Sequence, residues 1–162
     1  MSVPARQTAP ALLQIGAVMV RLSGRQALAE VGRYLRSEFP QYGWIGFYRL
    51  DGHELVLAAY DGERETEHTR IPIGLGVCGR AVRENRTVLV GDVSKDPEYL
   101  SCFLETRSEI VVPVHSAGAI VGEIDVDAVA LNAFDASDQR FLESVGEKIA
   151  PALLVGDGPR LL

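Results

Sequence analysis

Apolar residues recur at two different spacings along the chain, and each spacing predicts a different kind of element. Spacings of three and four residues place side chains on one face of an α-helix. They predict a helix over residues 8–22, a second helix that Ser23 caps, and a final helix over about 136–153 that Asp135 caps. Both ends of the chain are therefore expected to be helical.

Alternating apolar and polar positions predict six short strands between these helices. The clearest signal is a hairpin in which GWIGFYRL and ELVLAAY meet around Asp51-Gly52. Asp96-Pro97 is expected to start a further turn of helix that carries Cys102 near its end. GLGVCGRAVRE is expected to run from a turn into a helix, and the other predicted strands are 69–73, 87–90, 108–114 and 119–128. This order predicts an α+β domain, an antiparallel sheet with helices on one face.

Strand parity brings chemically useful side chains to one face of that sheet. Trp44 and Tyr48 share a face of the first strand, and Glu123, Asp125 and Asp127 share a face of the last one. Alternation of this kind is also the ordinary pattern of a strand with one solvated face. If a pocket covers the acids instead, at least one of them should have a raised pKa and be able to donate a proton.

The stretch LSCFLETRSEIVVPV raises the question whether its thiol is structural or takes part in chemistry. Cys102 lies six residues before a Ser-Glu pair in which Glu109 shares a strand face with apolar residues. With Cys78 it makes two cysteines, too few for a disulfide scaffold or a thiolate zinc site, and each is either a buried apolar residue or a reactive thiol. The three histidines are too widely spaced to predict a metal site or a catalytic triad: His53, His68 and His115.

Length and charge narrow the class of protein. The 162 residues fit one domain, 1–162, with a core of about 24–153 and tails at 1–7 and 155–162. A net charge of −6 without a basic stripe argues against nucleic acid as a partner. No apolar run is long enough for a membrane helix and no cleavable leader is evident, so a cytoplasmic protein is expected.

Several motifs, taken in order, resemble those of the GAF domain family, and within it the free methionine-(R)-sulfoxide reductases. The resemblance covers roughly residues 40–150. It implies a six-stranded antiparallel sheet with the terminal helices on one face and a small pocket on the other. The motifs are W-x-G-F-Y, TRIP-x-G-x-GVCG-x-A, a cysteine six residues before SEIVVP, G-x-I-D-V-D and FD-x-x-D.

The resemblance implies roles for both cysteines. Cys102 is similar to the catalytic thiol, which attacks the sulfoxide sulfur and becomes a sulfenic acid as methionine leaves. Cys78, just inside a helix N-terminus where the helix dipole favours a thiolate, suits a resolving role. A Cys102–Cys78 disulfide would then be reduced by an external dithiol such as thioredoxin, with no cofactor or metal.

The same resemblance assigns the acids and aromatic residues. Glu109 and Asp127 are similar to the pair around the sulfoxide oxygen, and Asp125 to an acid that holds the substrate ammonium. Trp44 and Tyr48 would pack on the S-methyl group. The expected partners are free methionine sulfoxide, a thioredoxin-like reductant and a second copy of the chain in a homodimer.

Two features depart from the reductase pattern. His68 occupies the place where better-known members carry a third cysteine, so resolution would rest on Cys78 alone. The segment SKDPEYL before Cys102 is more similar to signalling GAF domains. The alternative is therefore a non-catalytic GAF domain that binds a small ligand or mediates signalling or dimerisation.

Overall fold

The computed structural model describes residues 4–101 and 103–154, and these form four helices and a six-stranded sheet. The first helix begins at Ala5, inside the segment 1–7 suggested as a tail. Among the described helices, none is both long and apolar enough to cross a membrane. The helices are α1 (Ala5–Arg21), α2 (Gly24–Glu38), α3 (Gly76–Glu84) and α4 (Ala136–Leu154); the strands are β1 (Trp44–Asp51), β2 (Glu54–Asp61), β3 (Arg70–Pro72), β4 (Val88–Val90), β5 (Ser108–Ser116) and β6 (Ala119–Ala128).

The strands pair antiparallel in the order β3-β2-β1-β6-β5-β4, which confirms the predicted sheet. β1 and β6 lie at its centre. Their register places Trp44 opposite Asp127 and Tyr48 opposite Glu123, and the β5–β6 register places Glu109 opposite Asp127. Side chains on these central strands therefore meet across the sheet and point to the same face.

Each face of the sheet has its own apolar cluster. Helices α2 and α4 pack against one face, with α1 outside them, and bury residues such as Phe47 and Ile124. The other face carries a smaller cluster that includes Trp44, Tyr48 and Val111, and α3 packs over it. The predicted helical face is confirmed, and the opposite face has a cover of its own rather than open solvent.

The capping predictions have mixed outcomes. Asp135 does begin α4, because its Oδ1 accepts hydrogen bonds from the backbone N–H of Ser137 at 2.8 Å and of Asp138 at 3.3 Å. Ser23 directly precedes α2, but its side chain makes no capping hydrogen bond.

The helical turn expected after Asp96-Pro97 is wrong for the residues that are described there. A 3₁₀ helix, Val93–Lys95, comes before this pair instead, and Asp92 caps it by accepting from Ser94 N at 3.0 Å. Residues 97–98 form only a turn. The Asp96 carboxylate binds Arg80 of α3 through two hydrogen bonds, so it is held by a side chain across the fold as well as by Glu98 N.

Candidate active site

Four carboxyl groups on one face of β5 and β6 are buried. Glu109, Glu123, Asp125 and Asp127 expose between 0% and 5% of their surface. The interpretation of this face as a solvated strand surface is therefore wrong. Buried carboxyl groups are rare in proteins because transfer of a charge from water is costly, and a group of four points to a chemical role.

Helix α3 closes this face and places a thiol on the acids. Cys78, in the first turn of α3, donates a hydrogen bond from Sγ to Asp125 Oδ2 at 3.4 Å. The helix approaches the chain before it so closely that a Cβ at Gly79 would collide with the Ile73 carbonyl. The glycine therefore allows α3 to pack closely against the turn that precedes it.

Burial raises the pKa of three of these acids. The pKa of Glu123 and that of Asp127 lie well above the ordinary values, because burial disfavours the charged form and the charge of Asp125 adds to the effect. Burial also raises the pKa of Asp125, although hydrogen bonds from Glu109 and Cys78 oppose that shift. Burial therefore favours the protonated form of these carboxyl groups, from which protons can be donated.

Burial also raises the pKa of Cys78 well above its usual value, with the charges of Asp125, Glu123 and Glu109 adding to this effect. The expectation that the helix dipole favours its thiolate is therefore wrong for this structure. A dipole at a helix end contributes less than the loss of water and three nearby carboxyl groups. Cys78 is held as a thiol whose proton points to Asp125.

Several oxygens of the acidic group lack hydrogen-bond partners within residues 4–101 and 103–154. They are Asp125 Oδ1, Asp127 Oδ1 and both carboxyl oxygens of Glu123. The Cys78 thiol lies close enough to Glu123 to influence its pKa, but without good hydrogen-bond geometry. Buried polar atoms in native proteins nearly always have partners, so these oxygens are available to a bound molecule or ion.

The two predicted aromatic residues have different surroundings. Trp44 donates from Nε1 to the Arg64 carbonyl at 3.2 Å, and its ring lies 5.6 Å from that of Phe103 and 5.9 Å from that of Tyr60. Tyr48 is fully buried and donates its hydroxyl proton to the His68 carbonyl at 3.0 Å. Trp44 can contact a bound molecule directly, whereas Tyr48 supports the wall behind it.

A cavity of about 210 Å³ lies next to the acids, at the end of the sheet where Trp44 and Asp127 meet. This is smaller than the roughly 300–1,000 Å³ of sites for drug-sized ligands and suits a small metabolite. Its rim carries both signs of charge, from Arg64 and from the carboxylates of Glu63 and Glu105. Cys78, Glu109, Asp125 and Tyr48 do not line it and lie deeper in the protein.

Cys102 and its predicted disulfide with Cys78 lie outside the described residues. Its neighbour Ser101 is held by His68, whose Nε2 lies 3.1 Å from the Ser101 carbonyl oxygen. Phe103, on the other side, lines the cavity with Trp44. The chain that follows position 102 therefore runs beside the cavity, which Phe103, Glu105 and Thr106 help to line.

Glu123 is the residue that sequence reasoning did not assign to the site. Its parity with Asp125 and Asp127 was visible, but no motif role pointed to it. In the structure it is completely buried, opposite Tyr48 and close to Cys78. The signal that identifies it is the alternation of three acids on a strand that a helix covers.

This fold and this covered acidic face define a GAF domain. The GAF domain family model matches residues 24–154, and the chain belongs to that family. Its six-stranded antiparallel sheet, its terminal helices on one face and its small pocket on the other agree with what the sequence motifs imply.

Three known proteins show where in the family the similarity lies. The chain is 41% identical to GAF domain-containing protein A of Dictyostelium discoideum over 119 residues, 73% of each protein. It is 31% identical to the free methionine-R-sulfoxide reductase of Escherichia coli over 130 residues, 80% of this chain and 78% of that one. The free methionine-R-sulfoxide reductase of Neisseria meningitidis, solved with its substrate, superimposes with a TM-score of 0.83 at 34% identity over 94% of this chain and 93% of that one.

Proposed function

We propose that this protein reduces free methionine-(R)-sulfoxide to methionine, with Cys102 as the nucleophile and Cys78 as the resolving thiol. The observation that carries the proposal is the group of buried acids that meets Cys78 beside the cavity. Sulfoxide reduction needs a thiol and a proton donor in one desolvated place, and this face holds both kinds of group. The similarity to reductases that act on this substrate supports the same reaction.

The cavity suits a free amino acid. Trp44 and Phe103 offer apolar ring surface to the S-methyl end. Arg64 and the rim carboxylates Glu63 and Glu105 offer partners of both signs to a zwitterion. Asp125, expected to hold the ammonium, is buried against Cys78, so the rim carboxylates are the better candidates for that role.

The first chemical step transfers the sulfoxide oxygen to the enzyme. The Cys102 thiolate attacks the sulfoxide sulfur, the S–O bond breaks, methionine leaves and Cys102 becomes a sulfenic acid. Asp127 lies at the cavity wall, where burial raises its pKa and favours the protonated form, so it can donate a proton to the sulfoxide oxygen. Glu109, opposite Asp127 in the β5–β6 register, shares that task.

The second step regenerates the thiols. Cys78 attacks the sulfenic sulfur, a disulfide forms and water leaves. Because Asp125 Oδ2 already accepts the Cys78 thiol proton, it can take that proton as the sulfur attacks. An external dithiol, of the thioredoxin kind, then reduces the disulfide in an exchange that releases Cys78 and Cys102. A homodimer is part of this proposal only as the expected assembly.

The test is the loss of free methionine-(R)-sulfoxide in the presence of a dithiol, with the S epimer and a peptide containing methionine sulfoxide as comparison substrates. We expect turnover of the free R epimer by the wild type and none by Cys102→Ser. Cys78→Ser is the matched variant: it should complete one turnover, yielding one methionine per protein, and then stop with a thioredoxin system.

Two results would contradict the proposal. One is the absence of turnover by well-folded wild-type protein, and the other is full turnover by Cys102→Ser. Binding of methionine sulfoxide without turnover would favour the alternative, a GAF domain that only binds a small ligand.

A further inference from the structure

Three metal-ligating groups, one thiol and two carboxyl groups, meet under α3. Cys78 Sγ and one carboxylate oxygen each of Glu109 and Asp125 lie within 4.8 Å of one another, and all three residues are buried. Ligand atoms around a tetrahedral zinc ion lie about 3.4–3.6 Å apart, given the usual Zn–S and Zn–O lengths. The distance from Cys78 Sγ to Asp125 Oδ2, 3.4 Å, already has that value.

Unpartnered oxygens face the same place. Asp125 Oδ1 and both carboxyl oxygens of Glu123 have no hydrogen-bond partner in the part of the chain that is described. Glu123 is completely buried and lies close to Cys78. A buried carboxyl without a partner is costly, and a cation that binds it removes that cost.

The charge balance points to a cation rather than to a further hydrogen-bond donor. Within the described residues, neither Glu123 nor Asp125 nor Asp127 forms an ion pair with a lysine or an arginine. Glu109 adds a fourth buried carboxyl on the same face. A divalent ion can replace the protons that these carboxyl groups otherwise keep, and it is the most compact group that compensates their negative charge.

We propose that the reduced protein binds one Zn²⁺ ion through Cys78, Glu109 and Asp125, with Glu123 as the fourth ligand. One thiolate with a few carboxylates is a ligand set that zinc accepts. Calcium takes six to eight oxygens and magnesium demands octahedral oxygen geometry, so both fit this set poorly. On binding, one Zn–S bond and the Zn–O bonds form, the proton of Cys78 and those of any protonated carboxyl ligands pass to water, and no group changes its oxidation state.

Zinc would reach the site through the cavity, past Asp127, which lies opposite Glu109. A Cys78 held on zinc cannot attack a sulfenic acid. Zinc therefore blocks formation of the disulfide, and a chelator restores it. This inhibition rests on the proposed reductase function, whereas the metal site itself does not.

The experiment titrates Zn²⁺ into reduced, reductant-free protein under anaerobic conditions, in competition with a chromophoric chelator. We expect one ion per chain, and Co²⁺ in place of Zn²⁺ should give a thiolate-to-metal charge-transfer band. Cys78→Ser should abolish that band, and Asp125→Asn and Glu123→Gln should each weaken zinc affinity by roughly 10-fold or more. Mg²⁺ should not compete.

Cys102→Ser is the matched control, because it removes the other thiol and should leave zinc affinity and stoichiometry unchanged. Thermal unfolding of each metal-free variant shows that it folds, and if Cys78→Ser does not, the two carboxyl variants carry the test. The proposal is overturned if the wild type binds no zinc, if Cys78→Ser or both carboxyl variants bind it like the wild type, or if Cys102→Ser loses it. Zinc binding by a protein without reductase activity would overturn the proposed function and leave the site standing.

Discussion

Replacement of Glu123 by glutamine should stabilise the protein, and the gain should grow with pH. Glu123 is completely buried, neither of its oxygens has a hydrogen bond within the described chain, and burial raises its pKa well above the ordinary value. Between the unfolded pKa of about 4.3 and the raised folded value, the native state holds a proton that the unfolded state has lost. The contribution of Glu123 to stability is therefore fully present below the unfolded pKa and decreases as pH rises through this window.

The size of this pH-dependent change in stability follows from the single proton that Glu123 keeps on folding. The free energy of unfolding should lose about 1.4 kcal/mol per pH unit from this residue, and Glu123→Gln removes that slope. Between pH 5.5 and pH 7.5 the stability of the variant relative to the wild type should therefore rise, by at most about 1.4 kcal/mol for each pH unit over which the native carboxyl keeps its proton. The amide itself changes stability by the same amount at both pH values. That amount therefore cancels when the variant's gain at pH 5.5 is compared with its gain at pH 7.5.

Urea denaturation at pH 5.5, 6.5 and 7.5 measures the effect, with the same slope against urea required for all proteins. Glu147→Gln, on the exposed side of α4, is the control for the loss of one negative charge and should give a much smaller difference. A difference near zero for Glu123→Gln would refute the reasoning, because it would mean that folding does not change the proton affinity of this carboxyl.

Two further predictions concern the cavity. Asp127→Asn removes a proton donor but keeps the shape of the cavity wall, so the turnover number should fall about 10²–10⁴-fold with little change in substrate affinity. Steady-state kinetics with free methionine-(R)-sulfoxide measure both quantities. An unchanged turnover number would exclude Asp127 as the donor. Gly46→Ala should displace the Trp44 ring, because the added Cβ would collide with it, and a changed tryptophan fluorescence together with a raised KM would report this displacement. The control is Gly52→Ala, in the exposed hairpin turn, where no atom lies within 4 Å of the added Cβ. The positive φ of Gly52 makes that control mildly destabilising. Wild-type fluorescence and KM for Gly46→Ala would show that the ring is not fixed by this contact.

The sequence was sufficient to predict the central sheet because its signals are local. Period-two alternation in EIDVD set the parity of Asp125 and Asp127, and Asp51-Gly52 marked the hairpin between β1 and β2. These features depend on neighbours along the chain. The folded structure therefore shows them as the sequence predicts them.

Burial of the acids could not be read from the same pattern. Alternation shows that Glu123 and Asp125 share a face, but not whether anything covers it. The cover comes from α3, which is some 40 residues away in sequence and whose Cys78 contacts Asp125 of β6. The prediction that the Cys78 thiolate is favoured was wrong for the same reason. A helix end can be recognised from the local sequence, whereas a surrounding group of carboxyls cannot.

The segment after Asp92 shows a competition between local and distant partners. Asp-Pro favours a helix start, yet Asp92 caps a 3₁₀ helix just before that pair, and Asp96 is bound by Arg80 of α3. The side chains of Arg80 and Asp96 are 18% and 12% exposed, so this pair is shielded from water and joins the helix of Cys78 to the segment that leads to position 102. A long-range ion pair of this kind has no signature in a single sequence.

The buried acidic face also has a consequence for laboratory evolution of this protein. Buried carboxyl groups with oxygens that lack a hydrogen-bond partner among the described residues lower stability, and their replacement by neutral residues restores it. A library of variants screened only for resistance to heat should therefore enrich changes at Glu123, Asp125 and Asp127. The survivors of such a screen should include many proteins that have lost their activity, so a useful screen has to select for turnover and heat resistance together.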